Sequence, residues 1–426
     1  MYHRSMEYLS RVVDKQLDRL LGGLPAVSIE GAKGVGKTAT AARRAAHVLG
    51  VDLPRTRASV SADPEMILSL PTPLLIDEWH LVPSVWDVVR RAVDQDRSPG
   101  RYLLTGSALP PQEARIHSGA GRIVRLVMRP MGLSERRVAD PTVSLGDLLA
   151  GGRPAVAGRS ALRLADYTAE IVASGLPGVR GDEPSLRRDI LAAYIDEMIE
   201  RDIPELGVNV RRPGALRAWL AAYAAASATT TTYSKLLDAA TPGEAEKPAR
   251  NTADAYRSIL ERLWILEPLP AWTPVFNPLG RLGLAPKLHL VDPGLAARIL
   301  GATEMSLLAG EGLTRREDNL LAALFESLAV LTVRVLAEAH GARVSHLRTH
   351  NGTHEIDIIV ERDDHSVIAL EVKLASETTR DAAKHLHWLE SEIGNTLIDR
   401  VVLTTGEYAY RDSDGTAVVP LALLTL

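Results

Sequence analysis

The chain has 426 residues, 46% of them apolar and 24% charged, a length that exceeds one compact core and suits two or three domains of an ordinary globular protein. With 53 acidic against 49 basic residues the formal charge is -4, so no overall field demands nucleic acid or a membrane surface, and only a local basic groove remains open. Absence of cysteine excludes disulfides, thiolate nucleophiles and cysteine metal sites; the opening MYHRSMEYLSRVVDKQ lacks the apolar core of a signal peptide, and no uncharged apolar run reaches the roughly 18–20 residues of a spanning helix, so the cytoplasm is the expected compartment, with no membrane partner.

In chain order, residues 1–144 alternate short apolar runs with helical patterns. The runs at 26–29 (AVSI), 74–76 (LLI), 101–105 (RYLLT) and 123–127 (IVRLV), with a helix from Lys37, predict a parallel sheet flanked by helices. Directly after the first run, Gly31-Ala32-Lys33-Gly34-Val35-Gly36-Lys37-Thr38 fits G-x-x-x-x-G-K-S/T at every fixed position, between a strand and a helix as a phosphate-binding loop requires. Gly31, Gly34 and Gly36 let backbone N–H groups turn inward around phosphates, and the helix that continues through Ala39 adds its positive end. Lys37 is placed to reach the β- and γ-phosphates and Thr38 to bind Mg2+.

The stretch 72–83, TPLLIDEWHLVP, supplies the acidic half of such a site, a strand ending in Asp77 and Glu78. Asp77 is expected to hold magnesium, directly or through water, and Glu78 to polarise the attacking water as general base. Trp79 and His80 are read as packing or polar loop residues without a catalytic role. The next strand ends in polar residues, and Ser107 or Thr105 is the expected sensor of the γ-phosphate or the attacking water. Arg122, which follows two glycines at the head of a strand, is the candidate guanidinium for the γ-phosphate, with Arg125 and Arg129 as alternatives.

The combination of GAKGVGKT, LLIDEWH, YLLTGSA and GRIVRLVMRPMGLSE resembles the bacterial and archaeal AAA-plus ATPases that carry a C-terminal domain of unknown function. The stretch YIDEMIERDIPELG, residues 194–207, is similar to the start of that family's second domain. The usual phosphate loop of the family has Pro-Arg where this chain has Ala32-Lys33, positions that contribute mainly backbone. The resemblance implies ATP binding and hydrolysis, with Mg2+ as cofactor. Relatives often complete their sites with a neighbour's arginine, which makes a homo-oligomer one expectation.

Residues 145–302 read as mostly helical. TTTTYSKLLDAA and, after a loop, RNTADAYRSILERLWILEPLPAW give helix, turn, helix and short strand, the spacing of a winged helix, with Asn251 or Thr252 capping the second helix. Its outward candidates Asp254, Arg257 and Glu261 are not uniformly basic, which favours a structural or protein-contacting role over DNA reading.

Residues 303–426 return to α/β, with a long amphipathic helix over 315–340 and strands at 355–360 and 367–372. A hairpin there sets Asp357 beside Glu371 and Lys373, and Glu326 on the helix completes an acidic cluster. Asp357, Glu371 and Glu326 are candidate Mg2+ ligands, while Lys373 would orient or deprotonate a water or steady developing phosphate charge. The layout resembles the core of the PD-(D/E)xK restriction-type nucleases, although Ile356 replaces that motif's proline; an edge hairpin whose charges face water, or a nuclease fold that has lost its activity, fits the same pattern. The expected protein is therefore an AAA-plus-like P-loop ATPase domain, a winged-helix-like helical domain and a nuclease-like α/β domain, with DNA or protein as partner of the last two. The alternatives are an ATP-gated, Mg2+-dependent DNA nuclease and a non-enzymatic ATP-dependent switch such as a toxin–antitoxin or stress partner.

Overall fold

The computed structural model describes residues 8–108, 119–208, 210, 212–240, 250–274, 282–310, 319–375 and 380–426. Its first unit is a parallel sheet of β1 (Ala26–Glu30), β2 (His47–Gly50), β3 (Leu74–Asp77), β4 (Tyr102–Gly106) and β5 (Ile123–Val127), in the spatial order β2-β3-β4-β1-β5. Every residue of β1 is buried because both faces are covered, which is why the strand reads as a continuous buried run. Trp79, Val85, Trp86, Val89 and Tyr102 pack one face. Leu17 of helix Val12–Gly23 packs the other, together with Leu176, Leu191 and Leu295 from further along the chain. Since the strands run parallel, their carboxyl ends share one edge, and the loops at 31–37, 77–79 and 106–108 meet there.

The middle unit is helical. It holds helices Leu164–Val172, Pro184–Glu197, Pro213–Ala225, Tyr233–Ala240 and Arg250–Arg262, with Trp219 of the third packed on Tyr223 of the same helix and on Tyr256 of the last. Helix Pro184–Glu197 runs on through a π-helical turn, Met198–Asp202, into Ile203–Glu205. Pro204 has no N–H for the carbonyl four residues back, and the Ile203 N–H reaches five residues back to Met198 O. Helix Arg250–Arg262 leads into short antiparallel bridges, Leu266 with Leu290 and Leu269 with Lys287. Asn251 and Thr252 fall inside this helix, not at its cap, and the connection 241–249 lies outside the described residues. Arg257 sits between Asp254 and Glu261 at 3.8 and 3.9 Å and over the Tyr233 ring, so the outward charges largely neutralise one another.

The last unit is built on a second sheet, of β7 (Gly158–Arg159), β8 (Arg343–Arg348), β9 (Glu355–Glu361), β10 (Val367–Lys373), β11 (Leu397–Thr404), β12 (Tyr408–Arg411) and β13 (Ala417–Pro420), ordered β7-β12-β13-β11-β10-β9-β8. A separate two-stranded parallel ladder pairs β6 (Val143–Ser144) with β14 (Leu424–Thr425). Between the first unit and the helices of the middle one, the short strands β6 and β7 pair with the C-terminal strands β14 and β12. Helix Leu320–Ala339 packs against this sheet; the expected start at Arg315 falls in 311–318, outside the described residues. By length and composition this helix is apolar enough to cross a membrane, although Glu326, Arg334 and Glu338 interrupt it and it is not an uncharged run. It is instead a core element, with Leu324, Phe325, Leu328, Val333 and Leu336 fully buried.

Candidate functional site

The loop after β1 has the backbone of a phosphate cradle. A Cβ on Gly31 would stand 2.1 Å from the Met128 carbonyl oxygen, so no other residue fits, and Gly34 and Gly36 hold φ of +81° and +103°, where glycine alone is unstrained. Lys37 is buried, and its ammonium donates to the carbonyl oxygens of Gly31 and Ala32 at 2.8 and 2.9 Å. Burial pulls its pKa down to about 8, against the pull of the Glu78 and Asp77 carboxylates. The helix that follows, Lys37–Ala42, is a short one, so this lysine and the loop N–H groups supply most of the positive potential. Ala32 and Val35 are buried in the loop, and Thr38 and Ala39 lie in the first turn of the helix.

Arg11, which the sequence reading did not single out, underpins the loop. Its guanidinium is buried, pairs with Glu135 at 3.0 Å and donates to the carbonyl oxygens of Val35 and Arg129, both at 2.8 Å. Glu135 in turn accepts from the Val12 and Gly132 N–H groups, which ties loop, first helix and the segment after β5 into one network.

Asp77 ends β3 and accepts from the Thr38 hydroxyl at 2.8 Å and from the Thr105 hydroxyl of β4; burial raises its pKa against those two hydrogen bonds. A carboxylate and a hydroxyl are hard oxygen donors. Their 2.8 Å separation is close to the ~2.9 Å edge of an octahedron whose ligands stand at about 2.05 Å, so the pair fits magnesium. Glu78 turns out of the strand in the left-handed region, φ +55°, a strained conformation for a non-glycine residue that aims its carboxylate across to β4. There the Ser107 N–H and hydroxyl both donate to Glu78 Oε2, at 3.0 and 2.9 Å. The expected sensor and the expected base are thus in direct contact. His80 Nδ1 stands 3.2 Å from the same oxygen without hydrogen-bond alignment, and burial lowers its pKa, so it lies beside Glu78 as a neutral ring.

Arg122 is not at this site. It precedes β5 at the amino edge of the sheet, where Ile123 pairs with Ala26, and its Nε donates to Asp94 at 2.6 Å; about four strand residues, roughly 13 Å, separate it from the loop edge. Neither alternative is free. Arg125 pairs with Glu30, and Arg129 is buried between Glu267 and Glu338, whose carboxylates outweigh burial and raise its pKa. A cavity of about 400 Å³ over Asp77, Glu78 and Ser107 is instead lined by Arg57 and Arg201, the latter on the π-helical turn. The same turn reaches the loop directly: Asp202 pairs with Lys33 at 3.1 Å, and the Tyr194 hydroxyl donates to Lys33 O at 3.2 Å.

In the last unit the hairpin register, Ile358 opposite Leu370, sets Asp357 across from Glu371 as expected. Lys373 donates to Glu371 Oε1 at 2.8 Å, and Glu326 comes close from helix Leu320–Ala339. The sequence reading missed Lys287. Its buried ammonium stands among Asp357, Glu326 and Glu355 at 2.8, 2.9 and 3.0 Å. Among the described residues no group of three acids or histidines is arranged to hold a metal, and these do not fit Mg2+, because an ammonium already takes the central position.

Residues 24–136 match the family described as an AAA domain, and the first unit is an AAA-like P-loop ATPase domain. Residues 164–306 and 321–424 match two families described as domains of unknown function, DUF8612 and DUF4143. Uncharacterized proteins of Mycobacterium bovis and Mycobacterium tuberculosis are each 27% identical over 299 residues, 67% of this chain; the chain spans 58% of the length of these relatives. Among solved structures, the Walker-type ATPase of Pyrococcus abyssi aligns at 14% identity and a TM-score of 0.41, over 70% of this chain and 97% of its own. The Aeropyrum pernix ORC2 protein aligns at 14% and 0.25, over 70% and 93%.

Proposed function

We propose that the chain binds ATP with magnesium between the 31–38 loop and the Asp77–Glu78 strand end, and hydrolyses it. The observation that carries this reading is the convergence of Lys37, Thr38, Asp77, Glu78 and Ser107 on one sheet edge, with hydroxyl and carboxylate already at ligand spacing. Lys37 would exchange the loop carbonyls for phosphate oxygens, while Thr38 and Asp77 would hold Mg2+, which supplies charge neutralisation to the phosphates. Glu78 would take the proton of the attacking water, with Ser107 fixing which carboxylate oxygen faces it. The middle and last units enter as contact domains for a protein or nucleic-acid partner: the helix Arg250–Arg262 carries balanced charge, and the acidic cluster carries its own cation.

The test is ATP turnover by the purified protein beside Glu78→Gln. The variant is expected to keep ATP bound and to slow hydrolysis about 100-fold or more, some 2.7 kcal/mol of barrier. Equal rates in the two proteins would instead make the chain a nucleotide-binding switch, and equal loss of binding would reverse the roles of Asp77 and Glu78.

A further inference from the structure

We propose that Lys287 is a built-in cation that replaces a metal in the C-terminal acidic cluster, so that the cluster fastens the middle unit to the last sheet and is not a centre of metal-dependent cleavage. This inference rests on no part of the ATPase reading.

Lys287 belongs to the middle unit's antiparallel bridge, held by reciprocal backbone hydrogen bonds with Leu269 at 2.8 and 2.9 Å. Only 1% of its surface is exposed. An ammonium has three N–H donors, and here three carboxylates surround it at 2.8–3.0 Å, from the helix Leu320–Ala339 (Glu326) and from β9 (Glu355 and Asp357). The distances are those of charge-assisted N–H···O bonds, well beyond the ~2.0–2.1 Å at which magnesium holds oxygen. The other oxygen of Asp357 accepts the Val372 N–H at 2.9 Å, so both of its oxygens are engaged. Lys373 is committed to Glu371 in the same way.

A tethered cation also has an advantage over a free one, because its translational freedom was lost when the chain folded.

The probe is Mn2+, titrated into nucleotide-free protein and counted by electron paramagnetic resonance. Wild type and Asp357→Asn are expected to bind the same number of ions at 1 mM Mn2+. Lys287→Ala, which leaves the buried Asp357 carboxylate facing the partly buried Glu326 and Glu355 without their cation, is expected to lose at least about 5 °C in Tm, to gain one Mn2+ and to recover part of the loss when the ion is added. A wild-type Mn2+ site below 1 mM that Asp357→Asn removes would overturn the proposal, whether or not the lysine variant folds. So would a Lys287→Ala protein with unchanged Tm and no added ion. Should Lys287→Ala fail to fold, the pair Lys287→Met with Asp357→Asn decides: the double variant is expected to be more stable than Lys287→Met alone, and a simple sum of two losses would refute the lock.

Discussion

Raising the pH from 7 to 9 should weaken ATP binding about tenfold, through Lys37. In the nucleotide-free protein burial holds this ammonium's pKa at about 8. Phosphate charge beside it favours the protonated form and returns the pKa to at least the ordinary ~10.4. The group is thus easier to deprotonate free than bound, so affinity is complete below the free value and falls as pH rises through it. At pH 9 about nine-tenths of the free protein has lost the proton that binding requires, against about one-tenth at pH 7; the ratio is roughly tenfold, or about 1.4 kcal/mol. Calorimetric titration with excess magnesium, in two buffers of different ionisation enthalpy, measures both the dissociation constant and the proton taken up, expected to be about 0.9 at pH 9 and about 0.1 at pH 7. Lys37→Met should bind weakly at both pH values and show no such uptake. A wild-type dissociation constant unchanged between pH 7 and 9 would refute the assignment of Lys37 to the phosphates.

Two further perturbations bear on the supports of the site. Ser107→Ala keeps the backbone N–H to Glu78 but deletes the hydroxyl at 2.9 Å, and should lower kcat about tenfold with KM little changed, as measured by steady-state ATP turnover. Arg11→Ala strands the buried Glu135 carboxylate and should cost about 3–5 kcal/mol in urea unfolding; a loss below about 1 kcal/mol would mean that the pair is worth no more than a surface salt bridge.

The phosphate loop and the strand ends were legible because their chemistry is local: glycine spacing, one lysine and an acid-terminated apolar run prescribe the same geometry wherever they occur. The hairpin that pairs Asp357 with Glu371 was legible for the same reason, since strand alternation and turn length set its register. What the sequence concealed was long-range pairing. Lys287 lies 70 residues from Asp357 in a stretch with no pattern of its own, and nothing near Arg11 announces Glu135, 124 residues away. Arg122 was misplaced because the glycines before a strand look alike at either end of a sheet; only the parallel register with β1 shows that it stands at the amino edge. β2, HVLG, is half exposed and too short to leave an alternation.

One apolar cluster takes in Leu133 from the first unit, Trp219 from the middle and Leu421 from the last, and the Gly132 backbone lies against Thr332 on the long helix. The three stretches are therefore not beads on flexible tethers. A nucleotide-driven rearrangement cannot swing one of them away without opening a core to water, so any motion passed along has to take the form of small sliding between close-packed helices. On that architecture, a signal from a nucleotide bound at the loop would reach the far sheet only as pressure across a shared wall, and its reach would be set by how stiff that wall is.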